Sequence, residues 1–236
     1  MKNMLIASTS TVHGKAYLEY MLPELSNFFK GVSELLFIPY ARPGGITYDE
    51  YTAIAQKGFK SINIKLKGIH EFDNPKDAII RAKGIFTGGG NTFELVSQLY
   101  KHNLIDTIKD AVVSGVHYFG TSAGSNITGI SMKTTNDMPI VYPPSFETLG
   151  LINFNINPHY LDPDTNSKHM GETRETRIKE FHQFNETPVL GLREGSWLEV
   201  VDELITLKGT LPARLFLKDK PPVEYPTESD MSFLQL

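Results

Sequence analysis

Ser122 stands between Gly120 and Gly124 at the end of the apolar run 115–119. A serine with glycine two positions before and two after it is the pattern of a nucleophile elbow, a sharp turn from a strand into a helix. Such a turn brings backbone close on both sides, so glycine is favoured at the flanking positions. The N–H of Ala123 would then lie at a helix N-terminus, where it can stabilise an oxyanion. The pattern predicts a nucleophilic Ser122, although similar small-residue turns also occur without catalysis.

A neutral serine hydroxyl is a poor nucleophile and needs a neighbouring base. Among the seven histidines, His159 follows Asn157 and Pro158 directly at a predicted strand end. A loop at that point can hold an imidazole out of the core. In contrast, His102 and His182 stand in polar helical segments, which is typical of solvated residues. His159 is therefore the candidate base.

The imidazole in turn needs a carboxylate that orients it and stabilises its protonated form. Glu194 follows another predicted strand and is the first candidate, with an exposed turn residue as the alternative interpretation. Asp137 is the rival carboxylate. Asp162 and Asp164 are close in sequence to the candidate histidine, but Pro163 between them favours a turn. The sequence thus predicts a serine, a histidine and a carboxylate on separate loops.

Three consecutive glycines, Gly88 to Gly90, follow a further predicted strand and are called the glycine loop below. No Lys-Ser, Lys-Thr or GxGxxG spacing accompanies them, which argues against a phosphate loop. Glycine permits a turn that aims backbone N–H groups inward, so Gly89 and Gly90 are candidates for the second half of an oxyanion hole. A plain turn into a helix capped by Asn91 is the alternative.

Short apolar runs alternate with helix-like periodic stretches along the chain, which is typical of a mainly parallel sheet with helices on both faces. Ligand sites in such α/β folds gather at the carboxyl ends of the strands. We therefore expect the four candidate groups to share one sheet edge. The predicted strands are 4–8, 35–38, 61–66, 84–86, 116–121, 153–157, 189–192 and a hairpin of 197–201 with 204–207. The predicted helices include 17–29, 47–57, 104–113 and 171–184.

The chain has 236 residues, of which 40% are hydrophobic and 21% charged, as in an ordinary globular protein. We expect a single domain over 1–236, with an irregular tail over 218–236. The net charge is −4 and basic residues are not clustered, so the sequence gives no indication of a nucleic-acid-binding surface. No apolar run has the length of a membrane span or signal-peptide core, so a cytoplasmic protein is expected. Without cysteine or an HExxH spacing, neither a metal site nor a cofactor is expected.

Six motifs follow one another along the chain: TGGGNTF at 87–93, GTSAGSN at 120–126, TTNDMPIV at 134–141, INPH at 156–159, GETR at 171–174 and GLREG at 191–195. In this order they resemble the peptidase E family, serine peptidases that cleave α-aspartyl dipeptides on a scaffold similar to class I glutamine amidotransferases. The resemblance implies a single-domain, three-layer, flavodoxin-like α/β fold with a mostly parallel sheet. The order Ser, His, Glu also agrees with that scaffold and differs from the Ser, Asp, His order of α/β-hydrolases.

The resemblance implies that Ser122 is the nucleophile, His159 the base and Glu194 the orienting acid. It also implies a small dipeptide substrate with aspartate at the N-terminal position. A monomer or homodimer is expected. No nucleic acid or membrane partner is expected. A relative of cyanophycinase that acts on β-linked aspartyl peptides, and an inactive amidotransferase-like binding module, are the alternatives.

Substrate recognition is also suggested by the resemblance. A cation is needed for the aspartate side chain, and Arg174 is the first choice by motif match. Asp137 is suited to hold the free α-amino group, since a carboxylate attracts an ammonium. Asn91 in the glycine-loop motif is the third candidate for substrate binding.

Overall fold

The computed structural model of the chain describes residues 1–163 and 171–235. Helices and strands alternate through most of this length. The strands are β1 (Asn3–Ala7), β2 (Glu34–Ile38), β3 (Lys65–Gly68), β4 (Gly84–Thr87), β5 (His117–Thr121), β6 (Asn155–Pro158), β7 (Val189–Leu192), β8 (Ser196–Val201), β9 (Leu204–Gly209), β10 (Ala213–Phe216) and β11 (Val223–Tyr225). The α-helices are α1 (Leu22–Phe28), α2 (Tyr48–Phe59), α3 (Pro75–Arg81), α4 (Thr92–Lys101), α5 (Ile105–Val113), α6 (Ala123–Asn126) and α7 (Arg174–Phe184).

The strands form a larger sheet of seven and a smaller sheet of four. The larger sheet has the order β3-β2-β4-β5-β1-β8-β9, and all its pairs are parallel except the two made by β8. The smaller sheet has the order β11-β10-β7-β6, in which only β6 and β7 run parallel. The predicted α/β fold, with a mostly parallel sheet between helices, is confirmed. The expectation of one shared sheet edge needs correction, because β6 and β7 belong to a second sheet.

The two faces of the larger sheet bury separate apolar clusters. Successive strand residues point to opposite faces, so Met4 and Leu5 of β1 fall into different clusters. The cluster on the side of Leu5 includes residues of α1 and α2. The cluster on the side of Met4 includes α3, α4, α5 and, from the smaller sheet, Ile156 and Leu190. The cluster on the Met4 side is therefore shared by both sheets. This shared packing fixes the strand ends of the larger sheet relative to those of the smaller sheet.

Two predicted elements differ from the structure where the backbone turns left-handed. The helix predicted over 17–29 is a 3-10 turn at Glu19–Met21 followed by α1, because Leu18 has a φ of 61° that an α-helix does not continue. The strand predicted over 61–66 is wrong for residues 61–64. A 3-10 turn at Lys60–Ile62 and a left-handed Asn63 precede β3 there.

The tail predicted as irregular from residue 218 contains β11 and a 3-10 turn at Ser232–Gln235. Met231 and Leu234 are buried in the core, and the Met231 N–H donates to the Ile205 carbonyl of β9 at 2.8 Å, which holds this segment against the larger sheet. Within the described part of the chain, no helix combines the length and apolar character that a membrane crossing requires.

Candidate active site

Ser122 occupies a strained corner between β5 and α6. Its φ of 54° and ψ of −111° are a combination that residues with a side chain rarely adopt. A Cβ atom at Gly120 would lie 2.5 Å from the carbonyl oxygen of Gly124, and a Cβ atom at Gly124 would collide with the carbonyl of Thr87. The Ser122 N–H donates to the Ala7 carbonyl at 3.1 Å, which ties the corner to β1. The spacing of the two glycines therefore has a steric cause.

The predicted serine, histidine and glutamate form one hydrogen-bonded chain. The His159 Nε2 lies 2.9 Å from the Ser122 Oγ, and its Nδ1 lies 2.6 Å from the Glu194 Oε1. The carboxylate favours the tautomer with a proton on Nδ1, which leaves the Nε2 lone pair to accept the serine proton. The His159 and Glu194 side chains are 36% and 46% exposed, so solvent reaches this pair. The serine follows β5 of the larger sheet, whereas the other two follow β6 and β7 of the smaller one.

The rival carboxylates are engaged elsewhere. Asp137 Oδ2 accepts from the backbone N–H of Thr92 at 2.7 Å and from its hydroxyl at 2.6 Å. Asp162 forms a 2.6 Å ion pair with Arg193, and this hydrogen bond lowers the pKa of Asp162. Asp164 lies outside the described residues. Glu194 is thus the carboxylate that meets the imidazole in the described part of the chain.

Three backbone N–H groups at the elbow and in the glycine loop have no acceptor within the described part of the chain. Among the described residues, the N–H groups of Ala123, Gly89 and Gly90 donate no hydrogen bond, whereas the N–H groups on either side of Gly89 and Gly90 donate to backbone carbonyls. Gly89 lies directly against the nucleophile, since a Cβ atom there would be 2.9 Å from the Ser122 Cβ. The elbow and the glycine loop, which meet at Gly89, therefore offer three N–H groups that are uncommitted within the described residues and are candidates for an oxyanion hole.

Ser8 is a site residue that sequence reasoning missed. It follows β1 and is fully buried. Its hydroxyl donates to the Leu192 carbonyl at 2.7 Å and accepts from the His159 N–H at 2.8 Å. One side chain of the larger sheet thus holds the ends of both β6 and β7. The only sequence indication is that Ser8, like the other site residues, ends a predicted strand.

Arg174 is the first residue of α7, a helix that packs beside the 3-10 turn at Met132–Thr134. Burial lowers the pKa of Arg174, and the neighbouring Arg177 lowers it further, while the Asp137 carboxylate opposes both. The two residues expected to bind the charged groups of a substrate therefore lie within electrostatic reach of each other. Within the described residues, no hydrogen bond or ion pair joins either of them to the serine.

The Asn91 side chain is used within the protein. Its Oδ1 accepts the backbone N–H of Glu94 at 3.1 Å and so caps α4. Its Nδ2 donates to the Met138 carbonyl at 2.9 Å. Asn91 therefore holds the segment that contains Asp137, while its direct contact with a substrate stays a prediction.

Comparison with known proteins gives the family. The sequence model of peptidase family S51 matches residues 4–208. A peptidase E from Streptomyces coelicolor is 47% identical over 232 residues, which covers 98% of this chain and 94% of that protein. A Drosophila melanogaster protein named "Probable alpha-aspartyl dipeptidase" is 43% identical over 236 residues, covering 99% of this chain and 97% of that protein.

Solved structures agree at the level of the fold. The crystal structure of a peptidase from an acI-B1 Actinobacterium superposes with a TM-score of 0.71 at 17% identity, covering 99% of this chain and 97% of that one. The family follows from the match to the sequence model and from the full-length relatives. The chain belongs to peptidase family S51.

Proposed function

We propose that the chain is a serine dipeptidase that hydrolyses dipeptides with N-terminal aspartate, Asp-Xaa, through an acyl-enzyme on Ser122. The observation that carries this proposal is the hydrogen-bonded chain of Ser122, His159 and Glu194, with distances of 2.9 and 2.6 Å. The peptidase names of the relatives support the reaction class. The name α-aspartyl dipeptidase, given to one of them, supports the substrate class.

In the first half of the reaction, the Nε2 of His159 takes the hydroxyl proton as the Ser122 Oγ attacks the scissile carbonyl carbon. Glu194 stabilises the imidazolium that results. The carbonyl oxygen becomes an oxyanion and accepts hydrogen bonds from the Ala123 N–H and from one N–H of the glycine loop. Loss of one such donor typically costs about 100- to 1000-fold in rate.

In the second half, the imidazolium returns its proton to the leaving amine, and the C–N bond breaks as the oxyanion collapses to an ester on Ser122. A water molecule then attacks the ester while His159 takes its proton as a base. The same proton is given to the Ser122 Oγ when the ester bond breaks. Aspartate leaves, and the free enzyme is restored.

Two charged residues fit the two ends of the aspartyl group. The guanidinium of Arg174 can bind the side-chain carboxylate with two parallel hydrogen bonds. Asp137 has its Oδ2 occupied by donors from Thr92 and Thr135, and its Oδ1 has no hydrogen bond within the described residues. That oxygen is suited to the α-ammonium of the substrate. The hydrogen bond from the Asn91 Nδ2 to the Met138 carbonyl supports the segment that carries Asp137.

The test is hydrolysis of Asp-Leu, its β-linked isomer, Asn-Leu and Glu-Leu by the wild type and by Arg174→Ala. We expect the wild type to cleave Asp-Leu far better than the other three. Arg174→Ala should lose about 100-fold in kcat/KM on Asp-Leu, because a bidentate charged contact disappears, and much less on Asn-Leu. Arg177→Ala, on the same helix and half-exposed, is the matched control and should stay near the wild-type rate.

Preferential cleavage of the β-linked isomer would favour the cyanophycinase-like alternative. An unchanged preference for Asp-Leu in Arg174→Ala would assign the side-chain carboxylate to another cation. A folded wild-type protein that cleaves none of the four peptides would support the inactive binding module instead.

A further inference from the structure

Tyr51 of α2 reaches the glycine loop from the face of the larger sheet that packs against α1 and α2. Its side chain is 1% exposed, and its hydroxyl donates to the Gly89 carbonyl oxygen at 3.0 Å. This bond joins residues 38 positions apart in sequence. The mechanism above uses the N–H groups of this loop but gives no part to Tyr51.

The bonded carbonyl belongs to the peptide unit that joins Gly89 and Gly90. A trans peptide is planar, so its C=O and N–H point in opposite directions. Because the Gly89 oxygen is held toward Tyr51, the Gly90 N–H points away from Tyr51 and α2. The Tyr51 bond is the only one that this peptide unit makes within the described residues. A unit between two glycines otherwise rotates with little resistance.

Neighbouring groups hold the Tyr51 ring in one place. The Phe37 ring packs edge-on against it with centroids 5.0 Å apart. The guanidinium of Arg42 lies 4.6 Å from the ring centroid on one face. A Cβ atom at Gly88 would be 2.5 Å from the Tyr51 hydroxyl oxygen, so glycine there leaves room for the hydroxyl. The Tyr51 hydroxyl that donates to the Gly89 carbonyl is therefore held in one position.

We propose that Tyr51 is a positioning residue of the oxyanion hole, which holds the Gly89 carbonyl and thereby aims the Gly90 N–H at the developing oxyanion. The inference rests on the proposed peptidase function. Because the N–H interacts most strongly with the charge that develops in the transition state, loss of its aim lowers kcat more than it raises KM.

The test compares Tyr51→Phe with the wild type on Asp-Leu. We expect kcat to fall roughly 10- to 100-fold, less than the loss of a whole donor, while KM stays within about twofold. Affinity for a boronic acid analogue of aspartate, which forms an oxyanion-like adduct on Ser122, should fall by the same factor as kcat. Affinity for the product aspartate, which forms no oxyanion, should not change.

Tyr100→Phe is the matched control. The Tyr100 hydroxyl donates to the Glu147 carbonyl at 3.1 Å near the far end of α4, so the variant loses the same kind of bond away from the site. Its kcat should stay within about twofold of wild type, since the hydroxyl-to-carbonyl bond that is lost orients no N–H group of the site. The thermal unfolding temperatures of both variants show whether a loss of kcat comes from lower stability or from a changed orientation of the Gly90 N–H.

A folded Tyr51→Phe protein with wild-type kcat, or with a loss of kcat matched by Tyr100→Phe, overturns the inference. Should Tyr51→Phe fail to fold, Gly88→Ala is the second variant, because its added methyl group displaces the same hydroxyl. Wild-type kcat in Gly88→Ala would also overturn the inference. An inactive wild type would instead overturn the proposed function, so the two failures are distinguishable.

Discussion

The larger sheet contributes Ser122 and the glycine loop to the candidate site, whereas the smaller sheet contributes His159 and Glu194. The first group is fixed by close backbone packing: a corner with a φ of 54° and glycines that leave no room for a Cβ atom. The second group is partly solvent-exposed and is fixed by hydrogen bonds and charge. The nucleophile and the base therefore depend on different forces.

An ion-pair cluster beside Glu194 shows this difference. Arg193 is 9% exposed and pairs with Asp162 at 2.6 Å and with Glu224 at 2.9 Å. Hydrogen bonds to Glu224 and Asp162 raise the pKa of Arg193. Arg193 immediately precedes the catalytic candidate, so the cluster anchors the end of β7. Packing in the larger sheet should resist changes of pH and salt, while the smaller sheet should respond to them.

Of the three variants that probe the difference between the two sheets, Glu194→Gln should have the largest effect, because it keeps the shape of the smaller-sheet pair but removes its charge. The imidazolium loses its stabilising carboxylate, so kcat on Asp-Leu should fall about 100- to 10,000-fold. Steady-state kinetics on the purified variant measure this loss. Glu199→Gln on β8 is the control and should retain wild-type kcat. Wild-type kcat in Glu194→Gln would remove the glutamate from the mechanism.

A smaller effect, on stability, is expected for Gly124→Ala in the larger sheet. The added methyl group meets the Thr87 carbonyl of β4, so the free energy of unfolding should fall by about 1–3 kcal/mol. Urea unfolding at several pH values and salt concentrations should give the same loss throughout. Gly44→Ala, where no atom lies within 4 Å of the new methyl group, should change stability by less than about 0.5 kcal/mol. A loss in Gly124→Ala that varies with salt would contradict a steric cause.

The smallest effect concerns Asp162, whose pKa the Arg193 hydrogen bond lowers. A lowered pKa of Asp162 stabilises the folded state at pH values above the usual pKa range of aspartate. This contribution is lost as the pH falls through the pKa that Asp162 has in the folded state. The carboxylate is half-exposed, so the contribution is expected to be below about 1 kcal/mol. Asp162→Asn should be less stable than wild type at pH 7, and the difference should shrink below about pH 4. A difference that stays constant between pH 7 and pH 3 would count against the ion pair.

The elbow was predictable because its cause is local. Gly120 and Gly124 flank Ser122 in sequence, and a Cβ atom at Gly120 would meet the Gly124 carbonyl within the same short turn. His159 and Glu194 were predictable as polar residues at strand ends, with support from a family resemblance. Their membership of a second sheet was not, since an apolar run indicates a strand but not its partner.

Ser8 and Tyr51 were beyond sequence reasoning for the same physical reason. Each acts through a single hydroxyl that bonds a backbone group far away in the chain, with a separation of 151 residues for Ser8 and His159. In the sequence, Tyr51 resembles any aromatic residue on the buried face of a helix. Only the folded chain shows which carbonyl its hydroxyl meets.

The central claim is that residues from two sheets act as one catalytic unit, and a double-mutant cycle of Ser122 and His159 tests it most directly. We predict that Ser122→Ala and His159→Ala each lower kcat on Asp-Leu by roughly 10⁵- to 10⁶-fold, and that the double variant is hardly slower than either one. Losses that multiply in the double variant, or substantial activity in His159→Ala, would contradict the account.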